Sequence, residues 1–250
     1  MARSKVPYAP AHAGASPKPD TLVIVGSGEP LQGDVIRFRL LYSGPLLGAS
    51  RNDTRSAHKH DIRKRFDPQL KRVWDNKSAL RYWMANKGAI ARGNRGESPG
   101  YSSEEMERSR LAGFDAVADI WRIQKGRFIP LITADVVARC RLDVLFLRPE
   151  DKNHILQGGD LDNRLKTIFD ALRMPKPNEE CGDETEPCFV LLEDDSLISE
   201  IAIVADNLLM LPNESEVKPN DAFLVIDVQI ESGEAKFNEN QWAEFSIHRW

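Results

Sequence analysis

The chain of 250 residues has no apolar run near the roughly eighteen residues of a membrane-spanning helix. Its first twenty residues, MARSKVPYAPAHAGASPKPD, lack the apolar core of a signal peptide. Neither membrane insertion nor secretion is expected, and the chain reads as cytoplasmic. Cysteine is scarce: Cys140, Cys181 and Cys188 are an odd number with no Cys-x-x-Cys pair, which argues against a disulfide framework and a zinc site and for free thiols. A nucleotide-cradling loop is also missing, because VGSGEP from Val25 to Pro30 lacks the Gly-Lys-Ser/Thr ending and reads as a turn, so no nucleotide cofactor is expected. No internal repeat is present.

Charge of one sign is missing locally. From Glu179 to Glu234 sixteen Asp and Glu stand against one basic residue, Lys218. From Arg51 to Arg95 the balance reverses, with thirteen Lys and Arg against four Asp. The formal net charge of −4 hides this asymmetry, and a polyanion would be drawn to the first region only. Arg63, Lys64, Arg65, Lys71 and Arg72 are the candidate phosphate contacts.

With 41% hydrophobic residues the chain can bury one sizeable core. Residues 1–33, rich in Ala, Pro, Ser and Lys at their start, read as a mobile arm with a short lead-in, and 34–250 as a single domain with a basic helical insertion over 51–125. Asp34 to Ser43 alternates as a strand that ends at Gly44-Pro45, and a polar loop is expected to follow through about Lys59. Asp67 as N-cap and Pro68 at the first helical position predict a helix start, with Leu70, Val73, Trp74, Leu80 and Met84 at helical spacing up to a stop at Gly88. Ser102 and Glu105 have capping-box spacing ahead of a stripe of Leu111, Phe114, Val117 and Trp121. RFIPLIT and VVARCRLDVLFLR predict two adjacent strands, the second with Cys140, Leu142, Val144 and Phe146 on one face; SLISEIAIV and DAFLVIDVQI predict two more. The order implies an α+β fold, a mixed sheet flanked by helices, with an expanded helical N-terminal half.

The segment GDLDNRLKTIFDAL, Gly159 to Leu172, carries the chemistry. A helix over about Asn163 to Arg173 buries Leu161, Leu165, Ile168, Phe169 and Leu172, and opposite them Asp162, Lys166 and Asp170 form a ridge at four-residue spacing. Asp160, two residues earlier in extended chain, points the same way as Asp162. Asp162 has a second possible duty as the helix N-cap. Capping explains neither Asp160 nor the later LLEDDSLI, with Asp194 and Asp195. Gathering Asp160, Asp162 and one of Asp194 or Asp195 costs several kcal/mol of repulsion unless a cation offsets it. Mg²⁺, a hard ion that prefers carboxylate oxygens, is the expected cofactor, with Mn²⁺ as a substitute. An EF-hand beginning at Asp160 fails, since Leu165 and Ala171 stand where Gly and Glu are needed.

The pattern Asp160-x-Asp162-Asn163-x-x-Lys166-x-x-x-Asp170-x-Leu172, followed by Asp194-Asp195 before a strand, resembles the RusA-type Holliday junction resolvases. These are metal-dependent endonucleases that act as homodimers. The resemblance implies that Asp160, Asp162 and Asp195 bind Mg²⁺, that Lys166 assists catalysis, and that Asn163, Asp170 and Asp194 support them. It implies cleavage of branched DNA, four-way junctions in recombination or repair, by a homodimer. The motif core covers about residues 139–204. The stretch RMPKPNEECGDETEPCFVLL is longer than the family's turn, and the basic helical region is expanded. Two other readings remain open: a metal nuclease for flaps, forks or RNA, and a nucleic-acid-binding protein without catalysis on the same fold.

Overall fold

The computed structural model describes residues 36–48, 54–92, 102–134, 138–149, 160–177, 186–208 and 220–232, with the side chains at 54, 55, 79, 90 and 160 also outside the description. The 1–33 arm and the turn at Val25 to Pro30 lie outside it. In chain order the elements are β1 (Ile36–Pro45), α1 (Thr54–Asn76), α2 (Ser78–Ala91), α3 (Ser103–Ile120), β2 (Arg122–Ile123), β3 (Gly126–Ile132), β4 (Ala138–Arg148), α4 (Asp160–Leu172), β5 (Cys188–Leu192), a 3-10 helix (Asp195–Leu197), β6 (Ile198–Asn207) and β7 (Asp221–Ser232). The fold is α+β with mixed sheets. Among the described residues no helix is long and apolar enough to cross a membrane.

A four-stranded sheet has the order β1-β7-β4-β6. β7 runs antiparallel to both β1 and β4, while β6 runs parallel to β4. The alternation of β4 is as predicted: Cys140, Leu142, Val144 and Phe146 are buried and join Leu40, Tyr42, Leu224 and Ile226 in one core with Ile62, Phe66 and Leu70 of α1 and Leu165, Ile168 and Leu172 of α4. β1 ends at the Gly44-Pro45 pair as expected, its last register partner being Asp221 opposite Pro45. β1 is an edge strand, where proline is tolerated. Gly44 has φ 142°, and a Cβ there would lie 2.9 Å from the Arg65 guanidinium.

β3 and β4 are not neighbours. β3 belongs to a second sheet, β2-β3-β5, and pairs parallel with β5. β5 lies within the stretch that exceeds the family's turn.

The start of α1 also differs from expectation. The helix begins at Thr54 inside the expected loop and passes straight through Asp67-Pro68. Asp67 lies inside the helix rather than at its N-terminus, and its Oδ1 accepts from the Phe189 backbone N–H at 2.7 Å, tying α1 to β5. An internal proline costs about 3 kcal/mol. Burial of Ile62, Phe66 and Leu70 offsets it at about 1.5–3 kcal/mol each, and Pro68 itself faces outward.

Gly88 does not stop a helix either. It lies inside α2 and faces Gly113 of α3. In α3 the predicted cap is present, Ser102 Oγ accepting from Glu105 N–H. Phe114 and Val117 are buried and Trp121 half-buried, but Leu111 is 54% exposed and leaves the stripe. Cys140 and Cys188 are free cysteines, and Cys181 lies outside the described residues.

Candidate metal and nucleic-acid site

α4 starts at Asp160, so Asp162 stands in its first turn and is not the N-cap. Asp160 is helical rather than extended, and the argument that alternate extended residues point the same way does not hold for it. The apolar stripe forms as expected, with Leu165, Ile168 and Leu172 buried and Leu161 and Phe169 packed at its margin.

Around that stripe α4 is fastened on two sides. Arg164 Nη1 donates to the Leu46 carbonyl at 2.7 Å, and Thr167 Oγ1 donates to the Leu47 carbonyl at 2.9 Å. At the other end Arg63 donates to the backbone carbonyls of Asp170 (3.0 Å) and Arg173 (3.2 Å), both in or just beyond the last turn. The Asp170 carboxylate lies 2.6 Å from Lys59 Nζ and 2.7 Å from Arg173 Nη2. Burial pushes the Asp170 pKa up, but Lys59 and Arg173 outweigh it and hold the carboxyl below the usual aspartate value.

Asp170 is therefore absent from the exposed ridge. Residues four apart on an α-helix drift by about 40° per step. Two steps from Asp162 carry Asp170 to the buried margin, where α1 captures it. Asp162, Asn163 and Lys166 remain exposed.

The acidic turn divides its labour. Glu193 Oε2 accepts from Ala134 N–H at 2.8 Å and its own N–H donates to Ile132 at 2.9 Å, which joins the turn to the end of β3. Asp194 caps the 3-10 helix, Oδ1 accepting from Ser196 N–H at 3.0 Å. The Ser196 hydrogen bonds, with smaller help from Lys176, lower the Asp194 pKa. Asp195 is exposed at the start of the 3-10 helix, and this helix packs against both α4 and β4. Met174 N–H donates to Leu192 O at 2.9 Å, so the chain leaving α4 runs beside the strand that leads into the turn.

Among the described residues no three His, Cys, Asp or Glu side chains gather as a metal site, and the Asp160 side chain is outside that set. The donor chemistry nevertheless suits a hard divalent ion. Asp162 and Asp195 offer exposed carboxylates on segments that touch, whereas Asp170 and Asp194 are already engaged by cations or backbone N–H groups.

Of the candidate phosphate contacts, Lys64, Arg65, Lys71 and Arg72 are exposed on α1. Arg63 is a correction: it is 1% exposed and spends its guanidinium on α4. Arg65 donates to the Ser43 carbonyl and sits 5.6 Å from the Tyr42 ring centre, which anchors its head near β1. Sequence reading missed Lys59, Arg164 and Arg173. For Arg164 a signal existed, since it falls four residues before Ile168 on the apolar stripe. Lys59 gives none, because its partner is far away in sequence.

Compared with known proteins, the chain matches no family model, no curated protein and no solved structure.

Proposed function

We propose that this chain is a Mg²⁺-dependent, structure-selective endodeoxyribonuclease of the RusA type, with a RusA-like fold, that cleaves branched DNA at four-way junctions as a homodimer. One observation carries the reading: Asp162, Asn163 and Lys166 stand exposed on a helix held along its middle by Arg164 and Thr167 and at its last turn by Lys59 and Arg63, and the 3-10 helix bearing Asp195 packs against that helix. No packing role accounts for this set, since the apolar stripe and the clamps of α4 use other side chains.

In this reading Asp162 and Asp195, with Asp160, hold the ion. Bound Mg²⁺ supplies Lewis acidity toward a phosphate and lowers the pKa of a coordinated water. Lys166, one turn from Asp162, neutralises charge that develops on the phosphate oxygens or orients the attacking water. Asn163 lies beside them as an uncharged hydrogen-bonding group. Asp194 shapes the turn by capping it, so that Asp195 is left on the surface. The exposed Lys64, Arg65, Lys71 and Arg72 bind backbone phosphates, giving affinity without sequence readout.

The deciding experiment is a cleavage panel of four-way junctions, forks, flaps, duplex and RNA, with Mg²⁺ and with EDTA. Metal-dependent cutting of junctions above the other substrates supports the proposal. Preferential cutting of flaps, forks or RNA keeps the site and changes the substrate, and binding without cutting leaves only the nucleic-acid-binding reading.

A further inference from the structure

We propose that Lys59 and Arg63 of α1 are positioning residues for the face of α4 that displays Asp162 and Lys166; this rests on the nuclease reading above. The first long helix would then be part of the site's framework as well as a ridge for phosphates.

Packing alone leaves the helix underdetermined. The stripe of Leu165, Ile168 and Leu172 fixes which side of α4 faces the core, but an apolar contact is non-directional and tolerates small rotations. A rotation of about 20° moves groups at a radius of about 6 Å by about 2 Å. Displacements of about 1 Å at a reacting centre can cost about a hundredfold in rate. Directional contacts are needed to remove that freedom. Arg164 and Thr167 supply them toward Leu46 and Leu47, and Lys59 and Arg63 supply them at the last turn.

The last-turn contacts have a cost that stability alone does not explain. An Asp in the final turn opposes the helix macrodipole, and Asp170 is 6% exposed. Burying an ion pair loses about as much in desolvation as it gains in attraction, so an apolar pair would serve stability equally well. What the charged arrangement adds is one geometry. Asp170 takes Lys59 on one oxygen and Arg173 on the other, while Arg63 occupies carbonyls that the helix end leaves without intrahelical partners. Asp170 follows Lys166 by four residues and Asp162 by eight, so fixing its rotation fixes theirs.

The experiment uses the full chain and the substitutions Lys59→Met, Lys59→Arg and Asp170→Asn, the last being isosteric should Lys59→Met fail to fold. Thermal melting establishes the folded fraction, and kcat and KM are measured separately on a four-way junction with saturating Mg²⁺. Positioning predicts that folded Lys59→Met and Asp170→Asn lose about tenfold or more in kcat, with KM within about twofold, and that Lys59→Arg restores most of the rate. A rate that tracks only the folded fraction, or wild-type kcat in a folded variant, overturns it. If the wild-type protein cleaves no nucleic acid, the nuclease reading fails by itself. The clamp is then judged by amide hydrogen exchange across 160–172. Faster exchange in folded Asp170→Asn upholds the restraint on α4, and unchanged exchange removes it.

Discussion

Gly88 of α2 and Gly113 of α3 face each other so closely that a Cβ on Gly88 would lie 1.7 Å from the Ser109 carbonyl oxygen, and one on Gly113 would lie 1.9 Å from that of Met84. Both obstacles are backbone atoms, which cannot swing aside. Gly88→Ala should therefore force the helices apart at a cost of about 1–3 kcal/mol, despite alanine's better helix propensity. At this chain length each kcal/mol corresponds to roughly 2–4 °C in Tm. A melting curve at or above wild type would show that the helices are not in contact there.

Pro68 gives the opposite sign. Within α1 it removes one backbone hydrogen bond and crowds the carbonyl of Lys64, one turn earlier. Pro68→Ala should raise Tm, because the side chain is exposed and nothing is lost with the ring. A helix that began at Asp67 would respond differently, since proline is well placed at a first helical position and its loss there would be neutral or harmful. The direction of the shift decides between the two geometries.

Acid stability should carry the mark of Asp170. Its pKa is lower folded than in the unfolded chain, where aspartate titrates near about 3.9. Its contribution is thus complete above that value and lost as pH falls through the folded pKa. Asp170→Asn should be less stable at neutral pH and should flatten the fall in stability below about pH 4. Parallel acid-unfolding curves for the two proteins would contradict this.

On α1, Lys64→Gln, Lys71→Gln and Arg72→Gln should each weaken binding to unrelated sequences alike. Each should also reduce the slope of log K against log salt by about 0.9. Arg63→Gln should act otherwise, lowering Tm because its guanidinium holds the α4 carbonyls. An unchanged salt slope in the triple variant would make the ridge an ordinary solvated face.

Much of the fold was legible because local patterns survive packing. Alternation placed β1 and β4, and the Ser102 cap placed α3. What failed were punctuation marks overridden by tertiary contacts. Pro68 was absorbed by buried Ile62, Phe66 and Leu70, and Gly88 served a helix crossing. β5 was hidden because its parallel partner β3 is nearly sixty residues away. The exposed Asp162 and Lys166 could be named from spacing, whereas Asn163 and the choice of Asp195 over Asp194 came from the resemblance to the RusA-type family. The duties of Arg63 and Asp170 could not be named, since they depend on a contact between α1 and α4 that no local pattern encodes.

The most direct test is single-turnover cleavage of a four-way junction in Mg²⁺ by Asp162→Asn and Asp195→Asn, with folding confirmed by melting. Both side chains are exposed, so neither change should disturb packing. Each removes a carboxylate charge while keeping the shape of the side chain. Cleavage should fall by about a hundredfold or more, while junction binding holds or tightens as negative charge near the phosphates is removed. Near wild-type cleavage by both folded variants would contradict the assignment of Asp162 and Asp195 to a metal site.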